Sequence, residues 1–196
     1  MPDNSKLKLM VASTVYNFED QLVQLCGILK VFGYDVWNSH LGTIPVHPNR
    51  SNLKNCVAAV QNCDIFLGVI RPYYGSGVID NYSITHQEFR EAIRLKKPRW
   101  MLVHHDVITA RQLLKSYMYD KKGARRKFKL KPNPIIDDLR VIDLYNDAIQ
   151  NDVNPANRTG NWVQEFQTIK EINCYIDSQL KDLDQIRKTC EEMNRT

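Results

Sequence analysis

Glycine is scarce, with 8 in 196 residues, and none of the glycine patterns that cradle phosphates occurs. No GxGxxG follows the first apolar segment, which excludes the usual dinucleotide fingerprint of oxidoreductases. GxxxxGK[ST] is missing too, which disfavours nucleoside triphosphatase chemistry, and without GxSxG a hydrolase nucleophile elbow has no support. Long apolar runs are lacking: "IFLGVI" is far too short to cross a bilayer. The start, "MPDNSKLKLMVAS", shows no basic segment leading into a long apolar run and a small-residue cleavage site, so no secretory signal is expected. The five cysteines (Cys26, Cys56, Cys63, Cys174, Cys190) are odd in number and form no CxxC pair. That spacing gives no zinc-ligand cluster, and the expectation is reduced core thiols in a cytoplasmic protein with no metal. Neither internal repeats nor low-complexity stretches occur.

What is present is ordinary for a soluble globular chain, 43% hydrophobic and 25% charged, of a length that suits one domain with an appendage. The net charge of +5 is uneven. "KKGARRKFKLK", residues 121–131, holds much of the excess and reads either as a solvated loop or as a contact surface for phosphate. Phe128 is the one aromatic interleaved there, thin support for base stacking, so nucleic acid is not the expected partner.

Hydrophobic periodicity orders the first half. "KLKLMVAS" reads as a strand, "NFEDQLVQLCGILKVFG" as a helix stopped at Gly33, and "YDVWN" as a short strand. "NLKNCVAAVQNC" reads as a helix. "DIFLGVIR" reads as a strand buried on both faces, residues 84–96 as a helix, and "RWMLVHH" as a strand. This β-α-β-α-β-α-β order predicts a parallel sheet with helices on both faces, and ligands at the carboxyl ends of its strands. "TARQLLKSYMY" looks helical, while "PIIDDLRVIDLYNDAI" fits a strand or a helix equally. From Asn161 onward, Trp162, Phe166, Ile169, Ile172, Ile176, Leu180, Leu183 and Ile186 recur at three- and four-residue steps. They predict one amphipathic helix of roughly 30 residues, its charged second half projecting outward to pair with another copy. The expected division is a core over 1–115, a basic connecting segment over 116–160 and the long helix over 161–196.

The strand ends carry the chemistry-bearing side chains. Ser13, Thr14 and Tyr16 follow the first strand, and Trp37 and His40 lie at the second. Arg71, Tyr73, Tyr74 and Gly75 follow the third, with Ser83, Thr85 and Glu88 at the start of the next helix. "T-H-Q-E" fits a capping box with Thr85 as N-cap and Glu88 folding back on it, a role that requires no chemistry. The neighbouring His104 and His105 point to opposite faces of a strand, which disfavours a metal site.

Three pieces in order, "VASTVYNFED", "CDIFLGVIRPYYGSG" and "YSITHQEFREAIRLKKP", resemble the DUF4062 family, within the wider group of TIR domains and nucleoside 2-deoxyribosyltransferases. The resemblance spans about residues 6–106. It departs from the family pattern where Ala12 replaces a serine and "NFEDQL" carries an inserted residue. It implies a flavodoxin-like or TIR-like three-layer α/β sandwich and a site that cleaves an N-glycosidic bond, with Glu88 facing the ribose. NAD enters as substrate rather than cofactor, and a link to anti-phage signalling and a homo-oligomer are implied with it. Within that frame Arg71 and the turn 75–77 are expected to hold phosphates. Ser13, Thr14, His40, Ser83 and Thr85 are expected to contact the substrate, and Tyr16, Trp37, Tyr73 or Tyr74 to stack on a base. The alternatives are a deoxyribosyltransferase using the same carboxylate and a non-catalytic nucleotide sensor in which Glu88 stays in its cap.

Overall fold

A computed structural model describes residues 6–75, 77–131, 133 and 135–194. Five parallel strands, β1 (Lys8–Ser13), β2 (Asp35–Trp37), β3 (Ile65–Ile70), β4 (Arg99–His104) and β5 (Val163–Phe166), form one sheet in the order β2-β1-β3-β4-β5. The chain winds outward from β1 to β2, then returns to place β3 on the other side of β1. The switch of direction therefore lies between β1 and β3, where an open α/β sheet leaves a crevice beyond its strand ends.

Alternation along the strands explains the two cores. Met10, Ala12, Phe66 and Ile70 face α2 (Asn52–Asn62), α3 (Ile84–Arg94), α4 (His105–Met118) and α5 (Arg140–Ala148). Leu9, Val11, Ile65, Leu67 and Val69 face α1 (Glu19–Phe32), α6 (Ile169–Leu180) and α7 (Leu183–Asn194). The result is a flavodoxin-like three-layer sandwich, as expected. β3 is buried at all six positions, as its uninterrupted apolar run requires. Gly33 ends α1 at φ 109°, the left-handed conformation that a side chain disfavours. The ambiguous stretch around residue 141 is helical, with Val141, Ile142 and Leu144 buried in α5. Four of the five free cysteines are buried, and Cys174 is exposed. Among the described residues no helix is long and apolar enough to cross a membrane.

The C-terminal expectation is corrected. Residues 161–196 do not form one long helix: the first part is β5, which extends the sheet beside β4, and the rest divides into α6 and α7 around residues 181–182. Nor does the last helix project outward. Ile186 and Cys190 are buried, and Leu183 packs on the same core. The apolar stripe taken for a pairing surface is spent on the chain's own sheet.

Candidate functional site

At the carboxyl ends of β1 and β3 lies a crevice of about 450 Å³. Ser13, Thr14 and Tyr16 reach it from the segment after β1, and Ser39, Ile44 and Val46 from the segment after β2. Asn52 and Cys56 come from α2, Gly75 from the turn after β3, and Ile84, Thr85 and Glu88 from α3. Gly75 has φ +88°, and a Cβ there would stand 2.8 Å from the Thr14 methyl, so a side chain is excluded by backbone and by space.

The cap of α3 lies two residues upstream of Thr85. Ser83, in extended conformation, is the N-cap of α3, and its hydroxyl accepts from the His86 N–H at 3.2 Å. Helix α3 therefore begins at Ile84, and Glu88 sits in the second turn, past the free N–H groups that a cap serves. The same T-x-x-E pattern is a true capping box at Thr168 and Glu171, where Glu171 accepts from the Thr168 N–H at 2.9 Å. Glu88, at helical spacing from Ile84 and Thr85, instead shares their face and lines the crevice.

Glu88 is buried to 3% exposure. The described lining contains no lysine, arginine or histidine. Desolvation with no cation to offset it pushes the carboxyl up to about 7, and a hydrogen bond from the Cys56 thiol moderates the rise. The thiol itself is pushed up to about 12 by burial and by Glu88, so Cys56 is a hydrogen-bond donor here and not a nucleophile. Thr14 adds a second marker: its Oγ1 is buried, has no hydrogen-bond partner among the described residues and belongs to a residue that lines the crevice. A bound polar group would satisfy it.

Of the expected site residues, Ser13, Thr14, Tyr16, Gly75, Thr85 and Glu88 come together. The others do not line the crevice. Trp37 is buried in the core and its indole N–H donates to Asp35 at 3.0 Å, so no face is free for a base. His40 is exposed on the loop after β2. Tyr74 is buried, its hydroxyl bonded to His86 Nδ1 at 2.7 Å and accepting from the Ser83 N–H at 3.2 Å, which fixes the start of α3. Ser83 is spent on its cap, and Tyr73 packs edge-on against Tyr16 at 5.0 Å. Ser76, in the middle of the 75–77 turn, lies outside the described residues.

Arg71 is a fastener rather than a phosphate ligand. Its buried guanidinium donates to the carbonyls of Thr14 at 3.4 Å, Tyr16 at 2.5 Å and Asn17 at 3.1 Å, and rests on the Phe18 ring at 4.5 Å. It thereby holds the loop after β1, including Asn17 at the left-handed φ of 53°. Arg71→Lys keeps the charge but loses the planar fork. It is expected to lower stability by roughly 2 kcal/mol in urea titrations, the value of hydrogen bonds to a charged donor. An unchanged midpoint would remove this role.

The sequence reading missed Ser39, Ile44, Val46, Asn52 and Cys56. Asn52 and Cys56 carry the one available signal, an i, i+4 polar pair opening the helix after the second strand. Asn55 also touches the crevice but is structural: its side chain accepts from the His47 N–H at 2.9 Å and donates to the His47 carbonyl at 3.3 Å, pinning the loop that brings Val46 in.

Among solved structures the chain is similar to a 2-desoxiribosyltransferase from Leishmania mexicana, at 14% identity and a TM-score of 0.46, over 90% of this chain and 99% of that one. No curated protein matches. Residues 8–181 match the family model described as Domain of unknown function (DUF4062), and the chain belongs to that family.

Proposed function

We propose that this protein cleaves the N-glycosidic bond of NAD, with Glu88 as the carboxylate at the anomeric carbon. The observation that carries the reading is the position of Glu88: free of the helix cap, buried, and, among the described residues, the only carboxylate in a crevice lined by no cation. Loss of nicotinamide from NAD develops positive charge on the ribose. A carboxylate held in a low-dielectric wall stabilises that charge, or traps it covalently until water or another acceptor attacks. Nicotinamide leaves as a neutral molecule from a cationic ring, so no strong acid is required on the leaving group, and the lining supplies none. A crevice of about 450 Å³ is within the range of small-molecule sites. The unpartnered Thr14 hydroxyl and the Thr85 hydroxyl are the groups placed to orient a sugar.

The ionised form of Glu88 does this work, and its raised titration sets the pH dependence. With a midpoint at about 7, nicotinamide release is expected to climb through pH 6 to 7 and level off above pH 8. The test is chromatographic measurement of free nicotinamide from purified protein and NAD, with Glu88→Gln alongside. The expected result is release that falls by 10²-fold or more in the variant, the scale of loss when an electrostatic group is removed. Equal release by both proteins would overturn the assignment of Glu88. Exchange of bases between deoxyribonucleosides in the same incubation, without nicotinamide release, would assign the carboxylate to deoxyribosyl transfer instead.

A further inference from the structure

The Glu88 crevice is poorly matched to one part of NAD. Among the described residues its lining holds no lysine, arginine or histidine, so nothing there offsets the negative charges of a diphosphate. The cations nearest in sequence are committed or turned away. Arg71 donates to three carbonyls of the loop after β1. Lys54 stands between Asn52 and Cys56 on α2 but is not in the lining, since residues four apart share a helix face and the one midway between them does not. The lining is instead made of uncharged groups, among them the hydroxyls of Thr14 and Thr85, the Asn52 amide and the aliphatic side chains of Ile44, Val46 and Ile84.

The same lining suits a cation. Glu88 is 3% exposed and has no basic side chain beside it in the described lining, so its ionised form lacks the opposite charge that a buried carboxylate normally faces. A ligand with a positive charge supplies that partner, whereas a ligand with negative charges adds repulsion across a medium of low dielectric. Tyr16, 62% exposed, is the aromatic of the described lining, and its ring is a second group that attracts a cation.

We propose that the preferred substrate of this crevice is a phosphate-free N-riboside of a cationic pyridinium base, with the positive ring set against Glu88. The inference rests on the reading of Glu88 as the carboxylate at the anomeric carbon, and it narrows the substrate class. NAD is accepted through its nicotinamide riboside half alone, its diphosphate and adenosine lying outside the crevice. In the reaction water bonds to C1′ of the ribose, the electron pair of the C1′–N bond passes to the ring nitrogen, and nicotinamide leaves neutral. The products are ribose and nicotinamide, and the proton given up by water passes to solvent.

Nicotinamide release from nicotinamide riboside, nicotinamide mononucleotide and NAD, measured as kcat/KM with the intact protein and with Glu88→Gln, tests it. The riboside is expected to exceed the other two by roughly tenfold or more, a modest effect for like charges brought together. The mononucleotide separates charge from bulk, because it carries a phosphate without the adenosine, and it is expected to fall with NAD. The preference is expected to narrow as salt rises from about 50 to about 500 mM, since screening weakens repulsion at an open mouth. Val46 lines that mouth and is 64% exposed, so Val46→Lys adds a cation without disturbing the core. This variant is expected to raise kcat/KM for NAD by roughly fivefold and to lower it for the riboside. Release from NAD or the mononucleotide at least as efficient as from the riboside, with Glu88→Gln inactive, would overturn this inference and leave the role of the carboxylate standing. A preference unmoved by both salt and Val46→Lys would overturn it as well, since charge would not be its cause. No release from any of the three above the Glu88→Gln level would overturn the reading of Glu88, and this inference with it.

Discussion

At pH 8, Glu88→Gln is expected to be about 3 kcal/mol more stable than the unchanged protein, and at pH 4 the two are expected to be nearly equal. The reason is the burial of an ionisable group without a cation. In the unfolded chain Glu88 titrates at its ordinary 4.5, and in the fold at about 7. Folding thus binds a proton between those values. The native state keeps its full stability below pH 4.5, loses it as pH rises toward 7, and above 7 has given up the whole linkage term. A rise from 4.5 to about 7 corresponds to roughly 3 kcal/mol. Glutamine resembles the protonated acid in size and carries no charge to desolvate, so its stability lacks this pH term. Urea denaturation of both proteins at pH 4 and pH 8 measures the difference. A variant less stable at pH 8 would mean that the ionised carboxylate is compensated in the fold. The outcome bears on function because a group that costs stability when ionised is placed for chemistry.

The second large effect is expected at Gly68. Its Cα lies in β3 on the face toward α3, and a Cβ there would stand 2.2 Å from Phe89 Cζ, 2.5 Å from Phe89 Cε1 and 3.0 Å from Phe66 Cε1. Phe89 is fully buried, and its ring packs edge-on against Phe66 at 5.2 Å, so it has little room to retreat. Gly68→Ala is expected to cost about 3 kcal/mol, the upper end for overpacking a filled core. Because Phe89 follows Glu88 on α3, the shift that relieves the clash also moves the carboxylate, and activity should fall with stability. Gly68→Ala combined with Phe89→Leu should recover part of both, since the leucine vacates the space the methyl needs. A midpoint unchanged by Gly68→Ala would mean that α3 does not press on β3 as described.

The alternation of strands and helices up to residue 104 was legible because each element announces its own burial. β3 is apolar throughout, and α1 and α3 each carry one apolar stripe. The C-terminal part was not legible, for a reason of geometry. The steps from Trp162 to Phe166 to Ile169 fit a helical stripe by number alone, yet Trp162 is 73% exposed and Phe166 closes a strand. What decides β5 is the open edge of β4, a partner that periodicity cannot see. Leu180 and Leu183 likewise stay in phase across the break between α6 and α7, since both turn to the same core.

The site divides in the same way. Ser13, Thr14, Gly75 and Glu88 were found because strand ends at a switch point gather ligand-facing groups. Trp37, Arg71, Tyr74 and Ser83 were placed there on the same rule, but polar and aromatic groups at strand ends also anchor loops and caps, as Arg71, Tyr74 and Ser83 do, or fill the core, as Trp37 does. Ser83 shows the point most sharply. It lies two positions before the Thr85 expected to cap α3, and that displacement releases Glu88 from its own main chain.

The most direct measurement is a carbon-13 NMR titration of the Glu88 carboxyl, assigned by its disappearance in Glu88→Gln, run with and without NAD. The account predicts a midpoint at about 7 in the free protein and a displaced resonance when NAD is added. A carboxyl that titrates near 4.5 and is unmoved by NAD would contradict it.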